Sequence, residues 1–115
     1  MDNETIPLGT SSDSPEEPLF ILSLLNNELM SSSWKLLSKD YNIGRSSENE
    51  IILDDITVSR KHALLTISKK KVKISDNNST NGIYINNEIK NEQELKSGDK
   101  IQIGKYLMLL TEVTK

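Results

Sequence analysis

The chain has 115 residues and a mass of 13.0 kDa, close to the commonest size of a single domain, which leaves no room for two cores. It has a formal net charge of −3, no cysteine and one histidine, which excludes a disulfide framework, a thiolate nucleophile and a zinc–cysteine site and leaves no metal or cofactor to expect. Leu, Ile, Val and Phe fill 32 positions, too many for a chain disordered throughout, and no apolar run approaches the roughly 20 residues that cross a bilayer; the chain reads as soluble and cytoplasmic, with no membrane partner.

Residues 1–18 open the chain with Asp2, Glu4, Asp13, Glu16 and Glu17 and no Lys or Arg, whereas the 98 residues after position 17 hold 14 basic against 12 acidic side chains. This segment reads as a flexible acidic tail. Ser14-Pro15-Glu16-Glu17 has the form of a capping box, but Pro18 would fall in the first turn and argues against a helix. From Leu19 the period is mostly two. Leu19–Leu25 is a predicted buried strand, Asn26-Asn27 begins a turn, and Trp34–Leu37 and Tyr41–Ile43 are short extended pieces, Trp34 being partial core. Ile51-Ile52-Leu53 follows a polar stretch. Ala63, Leu65 and Ile67 alternate with Leu64, Thr66 and Ser68; Lys69-Lys70-Lys71 marks an exposed hairpin tip; Val72 and Ile74 continue the alternation. Ile83-Tyr84-Ile85 runs into Asn86-Asn87, a tight turn because Asn tolerates positive φ. Ser97-Gly98-Asp99 is a second turn, Ile101 and Ile103 alternate, and a last strand runs from Tyr106 to Leu110. Many short strands, punctuated by Gly and Asn and without a convincing amphipathic helix, indicate an all-β sandwich or barrel, and a two-sheet sandwich suits the length.

In such a fold the loops carry function. Gly44-Arg45-Ser46-Ser47, Thr57-Val58-Ser59-Arg60-Lys61-His62 and Asn78-Ser79-Thr80-Asn81-Gly82 are each rich in groups that donate to an oxyanion. Of the 14 basic residues 12 are Lys, and the only two Arg are Arg45 and Arg60. Arg presents a planar fork that matches phosphate or carboxylate oxygens, so its use in those two loops points to oxyanion recognition. Plainer readings exist for each residue: Arg45 as the ion-pair partner of Glu48 or Glu50, Ser59 and Thr80 as turn hydroxyls, Asn81-Gly82 as a hairpin corner, His62 as a satisfied buried imidazole. A nucleic-acid partner is not expected, because no strongly basic face or aromatic series is present. Ser59, His62 and Asp54 or Asp55 form a catalytic triad in name only, and no nucleophile elbow, Walker A loop or metal cluster accompanies them; the chain does not read as an enzyme.

Gly44-Arg45, the Ser59-Arg60-Lys61-His62 run of Ser-x-x-His form, and Ser79-Thr80-Asn81-Gly82 followed by Ile83-Tyr84-Ile85-Asn86 resemble, in order and spacing, the forkhead-associated (FHA) domain. Ile51-Ile52-Leu53-Asp54-Asp55 and Ser97-Gly98-Asp99-Lys100-Ile101-Gln102-Ile103-Gly104 extend the similarity from about Leu19 to Lys115. The resemblance implies a two-sheet β-sandwich of about eleven strands that binds a phosphothreonine peptide at one end. Arg45 would pair with the phosphate, Ser59 would donate its hydroxyl, Arg60 would line the phosphate or adjacent peptide, Thr80 would support the cluster, and Asn81 would bond the peptide backbone. Gly44, His62 and Gly82 would be structural supports of the site. Ile83 stands where the family often has Thr, a departure expected to be structural only. The run from Leu53 to Ala63 and the end Ile101-Gln102-Ile103-Gly104-Lys105 further resemble short actinobacterial FHA regulators, which implies a Ser/Thr kinase that phosphorylates an N-terminal threonine, here Thr5 or Thr10. The same resemblance also implies a modified tail that folds back into its own domain and releases enzymes of 2-oxoglutarate and glutamate metabolism. The paired threonines typical of that tail are absent. The contrasting reading is a phospho-independent protein-interaction domain that uses the sandwich surface.

Overall fold

The computed structural model describes residues 18–25 and 32–113. Thr5, Thr10, the Ser14-Pro15 segment and the Asn26-Asn27 turn lie outside them. The described residues form eleven strands and no helix: β1 Phe20–Leu24, β2 Ser33–Leu36, β3 Asp40–Gly44, β4 Ile51–Ile52, β5 Ala63–Ser68, β6 Lys71–Asp76, β7 Ile83–Ile85, β8 Glu88–Lys90, β9 Glu92–Leu95, β10 Lys100–Ile103 and β11 Tyr106–Glu112. None of them is a helix that could cross a membrane. Period-two patterning sets which side chains turn inward, since successive residues of a strand face opposite sides. Ala63, Leu65 and Ile67 of β5 are buried while Leu64 and Thr66 are half-buried, and Val72 and Ile74 of β6 are buried while Lys71 and Lys73 are exposed.

Two sheets result, one in the order β2-β1-β11-β10-β7-β8 and one in the order β4-β3-β5-β6-β9. Every pair is antiparallel except β3 with β4, where Ile43 lies beside Ile51 and Gly44 beside Ile52 in parallel register. Between the sheets lies one core of Phe20, Leu22, Leu36, Ile43, Leu65, Ile74, Ile83, Ile101, Met108, Leu110 and their neighbours, with Trp34 packed on it from the side. Each such side chain contributes about 1.5–3 kcal/mol through burial. Ile83 is fully buried, so the residue that replaces the family's frequent Thr is a core residue. Strands β8 and β9 have no counterpart in the alternation. They are short and charged, sit at or near sheet edges, and bury only Leu95 fully, as edge strands that resist further pairing do.

Register decides what lies at each end of the sandwich. Gly44 ends β3, Ala63 begins β5, Asp76 ends β6, Ile83 begins β7, Ile103 ends β10 and Tyr106 begins β11; the antiparallel pairings Ile43↔Ala63 and Ala63↔Asp76 bring the first three to one end of their sheet, Ile83↔Ile103 and Ile103↔Tyr106 bring the other three to one end of theirs, and bonds from His62 to Gly82 and from Lys105 to Thr57 join the two ends. Strand β1 pairs with β11 so that Phe20 faces Glu112 and Leu24 faces Met108. The chain therefore enters β1 at the opposite end.

Candidate functional site

The three oxyanion-donating loops converge on the first of these ends, where His62 holds them together. His62 is fully buried. Its Nδ1 accepts from the Ser59 backbone N–H at 3.0 Å, which fixes the proton on Nε2, and Nε2 donates to the Gly82 carbonyl at 2.8 Å. Its own backbone N–H donates to Ile43 O at 2.8 Å, and its carbonyl accepts from Asn77 N. One imidazole thus ties the loop after β4 to the loop after β6, and its main chain ties both to the end of β3. With both ring nitrogens committed to backbone groups, none is left for the Ser59 hydroxyl, and Asp55 bonds elsewhere; the nominal triad is not assembled.

Gly44 and Arg45 follow at the β3 end. The Arg45 N–H donates to Ser59 O at 3.0 Å and the Ser46 N–H to Arg60 O at 3.2 Å. A Cβ on Gly44 would overlap the Arg60 carbonyl oxygen, so only glycine lets these two main chains approach. Asn49, buried and absent from the sequence expectation, clamps the same junction: its Nδ2 donates to Ser46 O at 2.8 Å and Arg60 O at 2.7 Å, while its buried Oδ1 has no partner. The Arg45 side chain is exposed, but its Nε donates to Val58 O at 3.0 Å, which aims the guanidinium and leaves both terminal nitrogens uncommitted. It forms no ion pair with Glu48 or Glu50. Glu50 instead accepts from Asn42 N and Nδ2 at 2.6 and 3.1 Å, and the Asn42 backbone bond lowers its pKa.

The Ser59 hydroxyl accepts the Thr80 N–H at 3.1 Å; its own proton has no acceptor. Thr80 is exposed with its hydroxyl equally uncommitted. Asn81 donates one amide hydrogen to Thr57 O at 2.8 Å and leaves the other, and its oxygen, exposed. Ser79 closes this loop from inside, bonded to Asp76 Oδ1 and accepting Gly82 N at 2.9 Å. Arg60 supplies its carbonyl to the frame while its side chain stays exposed, without a hydrogen bond or ion pair among the described residues. The structure therefore brings Gly44, Arg45, Ser59, Thr80, Asn81, Gly82 and His62 into one bonded cluster and attaches Arg60 to it through the main chain. Among the described residues no group of three His, Cys, Asp or Glu side chains is placed to hold a metal.

Thr57 is the residue that spacing alone does not single out. Its Oγ1 donates to Asp55 Oδ2 at 2.6 Å and accepts Lys105 N at 3.0 Å, and its carbonyl receives Asn81. Gly104, at φ 57°, could not carry a Cβ without overlapping Thr57 Oγ1. The β10–β11 turn is thereby joined to the site. The Thr57 hydroxyl and N–H bonds, with Lys105 Nζ at 3.1 Å from Oδ1, hold the Asp55 carboxyl down at about 2, and the same contact raises Lys105. A shallow recess lined by Thr57, Asn81, Tyr84, Gly104 and Lys105 adjoins the cluster.

Comparison with known proteins agrees with this geometry. The chain is 47% identical over 66 residues to a protein named oxoglutarate dehydrogenase inhibitor from Corynebacterium efficiens, covering 57% of this chain and 46% of that one. It is 42% identical over 69 residues to the glycogen accumulation regulator GarA of Mycobacterium tuberculosis, covering 59% and 43%. It spans about half the length of these relatives. The FHA domain of the CT664 protein from Chlamydia trachomatis superposes with a TM-score of 0.77 at 27% identity, over 84% of this chain and 99% of that one. EmbR of Mycobacterium tuberculosis, in complex with a low-affinity phosphopeptide, superposes with a TM-score of 0.76 at 26% identity, over 90% of this chain and 27% of that one. The family model of the FHA domain matches residues 41–104, from the strand that ends at Gly44 to the turn that meets Thr57, and the chain belongs to the FHA family.

Proposed function

We propose that this chain is a non-enzymatic regulator whose site grips a phosphothreonine in a partner protein. The observation that carries this reading is the set of uncommitted donors at one end of the sandwich: the Arg45 terminal nitrogens, the Ser59 and Thr80 hydroxyls and one Asn81 amide hydrogen, on loops braced by His62. A phosphate ester near neutral pH carries roughly −1.5 to −2 charge and three acceptor oxygens, which such a set satisfies without a metal. No side chain there is placed as a general base, so the site recognises without reacting. The test is a titration of one peptide in phosphothreonine, phosphoserine and unmodified forms against wild type and Arg45→Ala. Phosphothreonine should bind, the unmodified peptide should not, and Arg45→Ala should weaken binding at least about tenfold, the loss of one charge-assisted bond of about 1.5–3 kcal/mol. The methyl that separates threonine from serine is worth about 0.8 kcal/mol, roughly fourfold. Equal affinity for modified and unmodified peptide overturns the proposal.

The partner class follows from the relative named oxoglutarate dehydrogenase inhibitor: an enzyme of 2-oxoglutarate and glutamate metabolism, in the cytoplasm, with a Ser/Thr kinase acting on Thr5 or Thr10. A phosphorylated tail that returns to Arg45 would compete with that partner. A second reading is favoured by Ile56, Ile89 and Tyr84, exposed by 91%, 62% and 37%, which lie on the β4–β5 loop and the β7–β8 hairpin beside Thr57 and Gly82. They would make a phospho-independent contact, and binding that survives Arg45→Ala but fails in Ile89→Lys would select it.

A further inference from the structure

The end of the sandwich opposite the site carries a cluster of positive charge that phosphopeptide recognition does not use. Lys69 and Lys70 form the β5–β6 turn, Lys71 begins β6 and Lys96 follows β9. Lys70, Lys71 and Lys96 line one recess together with Phe20, Glu94 and Glu112. None of the four lysines forms an ion pair among the described residues, whereas Lys73 is paired with Glu92, Lys90 with Glu88 and Lys105 with Asp55. The turn holds its charge against backbone preference. Lys69 and Lys70 have φ of 54° and 64°, the left-handed region disfavoured for L-residues. At the β7–β8 turn the chain meets the same need with Asn86 and Asn87, whose side chains tolerate it.

The direction of the chain supplies the second observation. Phe20 lines this recess, so the acidic leader enters the domain there. Glu16 and Glu17 stand four and three residues before Phe20, within about 14 Å of it even at full extension. We propose that the acidic leader of this chain docks through Asp13, Glu16 and Glu17 on Lys70, Lys71 and Lys96, as an electrostatic clasp at the end remote from Arg45. Exposed pairs are individually weak, but the short tether raises the local concentration of the acidic segment into the millimolar range, and several pairs act at once. One consequence rests on the proposed function: with Asp13 held, only eight residues remain from it to Thr5, about 27 Å when extended. That reach is little more than the roughly 20–23 Å length of the seven-residue β11, so a held Asp13 disfavours the return of a phosphorylated Thr5 to Arg45 and the two contacts compete.

The test uses the full chain. Because it holds no cysteine, a nitroxide on Ser12→Cys is the single label, and its effect is read as amide line broadening. Lys70, Lys71, Leu95 and Lys96 should lose about half their signal at low ionic strength and regain it near 0.5 M salt, where exposed charges are screened beyond about 4 Å. Lys70→Glu with Lys71→Glu and Lys96→Glu should abolish the broadening, and adding Asp13→Lys, Glu16→Lys and Glu17→Lys should restore it. Lys69→Asn with Lys70→Gly, which suits the turn, should weaken it without unfolding. Arg45→Ala should leave it unchanged, so failure of the clasp and failure of the phosphate site are separate results. Broadening that ignores salt and charge reversal, or that grows with protein concentration and so arises between molecules, overturns the proposal.

Discussion

Arg45 combines a fixed direction with free donors: its Nε is held by Val58 O, and the planar fork beyond projects from the cluster. Lysine would keep the charge and lose both the anchor and the fork. Arg45→Lys is therefore expected to weaken phosphopeptide binding by about tenfold or more in a calorimetric titration while leaving the melting temperature nearly unchanged. Asp55 governs a different property. Its carboxyl titrates at about 2, below the ordinary 3.8, because Thr57 and Lys105 bond the charged form. A depressed folded-state pKa contributes stability that is present above the unfolded value and lost as pH falls through the folded one. Denaturant titrations from pH 5 to pH 2 should show wild type losing stability more steeply than Asp55→Asn below about pH 4, with no difference in slope near pH 7.

At the scale of the elements, the crossing of the β3–β4 loop with the β4–β5 loop depends on a residue without a side chain. Gly44→Ala puts a methyl into the Arg60 carbonyl and against the Asn49 side-chain amide, a clash with main chain that cannot swing aside. Overpacking of this kind costs about 1–3 kcal/mol, so a drop of that size in unfolding free energy and a loss of phosphopeptide affinity together are expected. Sequence reading reached this junction because glycine, the two arginines and the lone histidine stand out in a lysine-rich chain. It reached β5, β6 and β10 because their buried faces impose a visible alternation, and β1, β2, β3, β4, β7 and β11 as short apolar runs between turn residues, of which the first could by periodicity alone have been helix. It did not single out β8 and β9, whose charged edge positions bury too little to leave a pattern, nor Asn49 and Thr57, because Asn and Thr are common in turns and only the register shows which of them bridges two loops.

For the whole molecule, the consequential fact is that the start of β1 and the loop cluster around Arg45 lie at opposite ends, set by the pairing of Phe20 with Glu112. That pairing joins residues far apart in sequence and is not written in either strand. The seven residues of β11 alone span about 20–23 Å, and a returning tail must cover at least this length. From Thr5 to Leu19 there are 14 residues, with an r.m.s. span of about 20 Å and a limit near 48 Å. From Thr10 there are nine, about 30 Å at full stretch, so the return needs a largely extended chain. Phosphorylated Thr5 should therefore inhibit phosphopeptide binding in cis more strongly than phosphorylated Thr10; kinase-treated Thr10→Ala and Thr5→Ala variants, compared in a phosphopeptide titration, check it.

The bridging role of His62 has a kinetic side. The ring and main chain of His62 bond the β3 end, the β4–β5 loop and the β6–β7 loop at once, so peeling any one of them away costs bonds to another, which favours opening as a unit over opening loop by loop. Much of the ordering that a ligand would otherwise impose is done before it arrives.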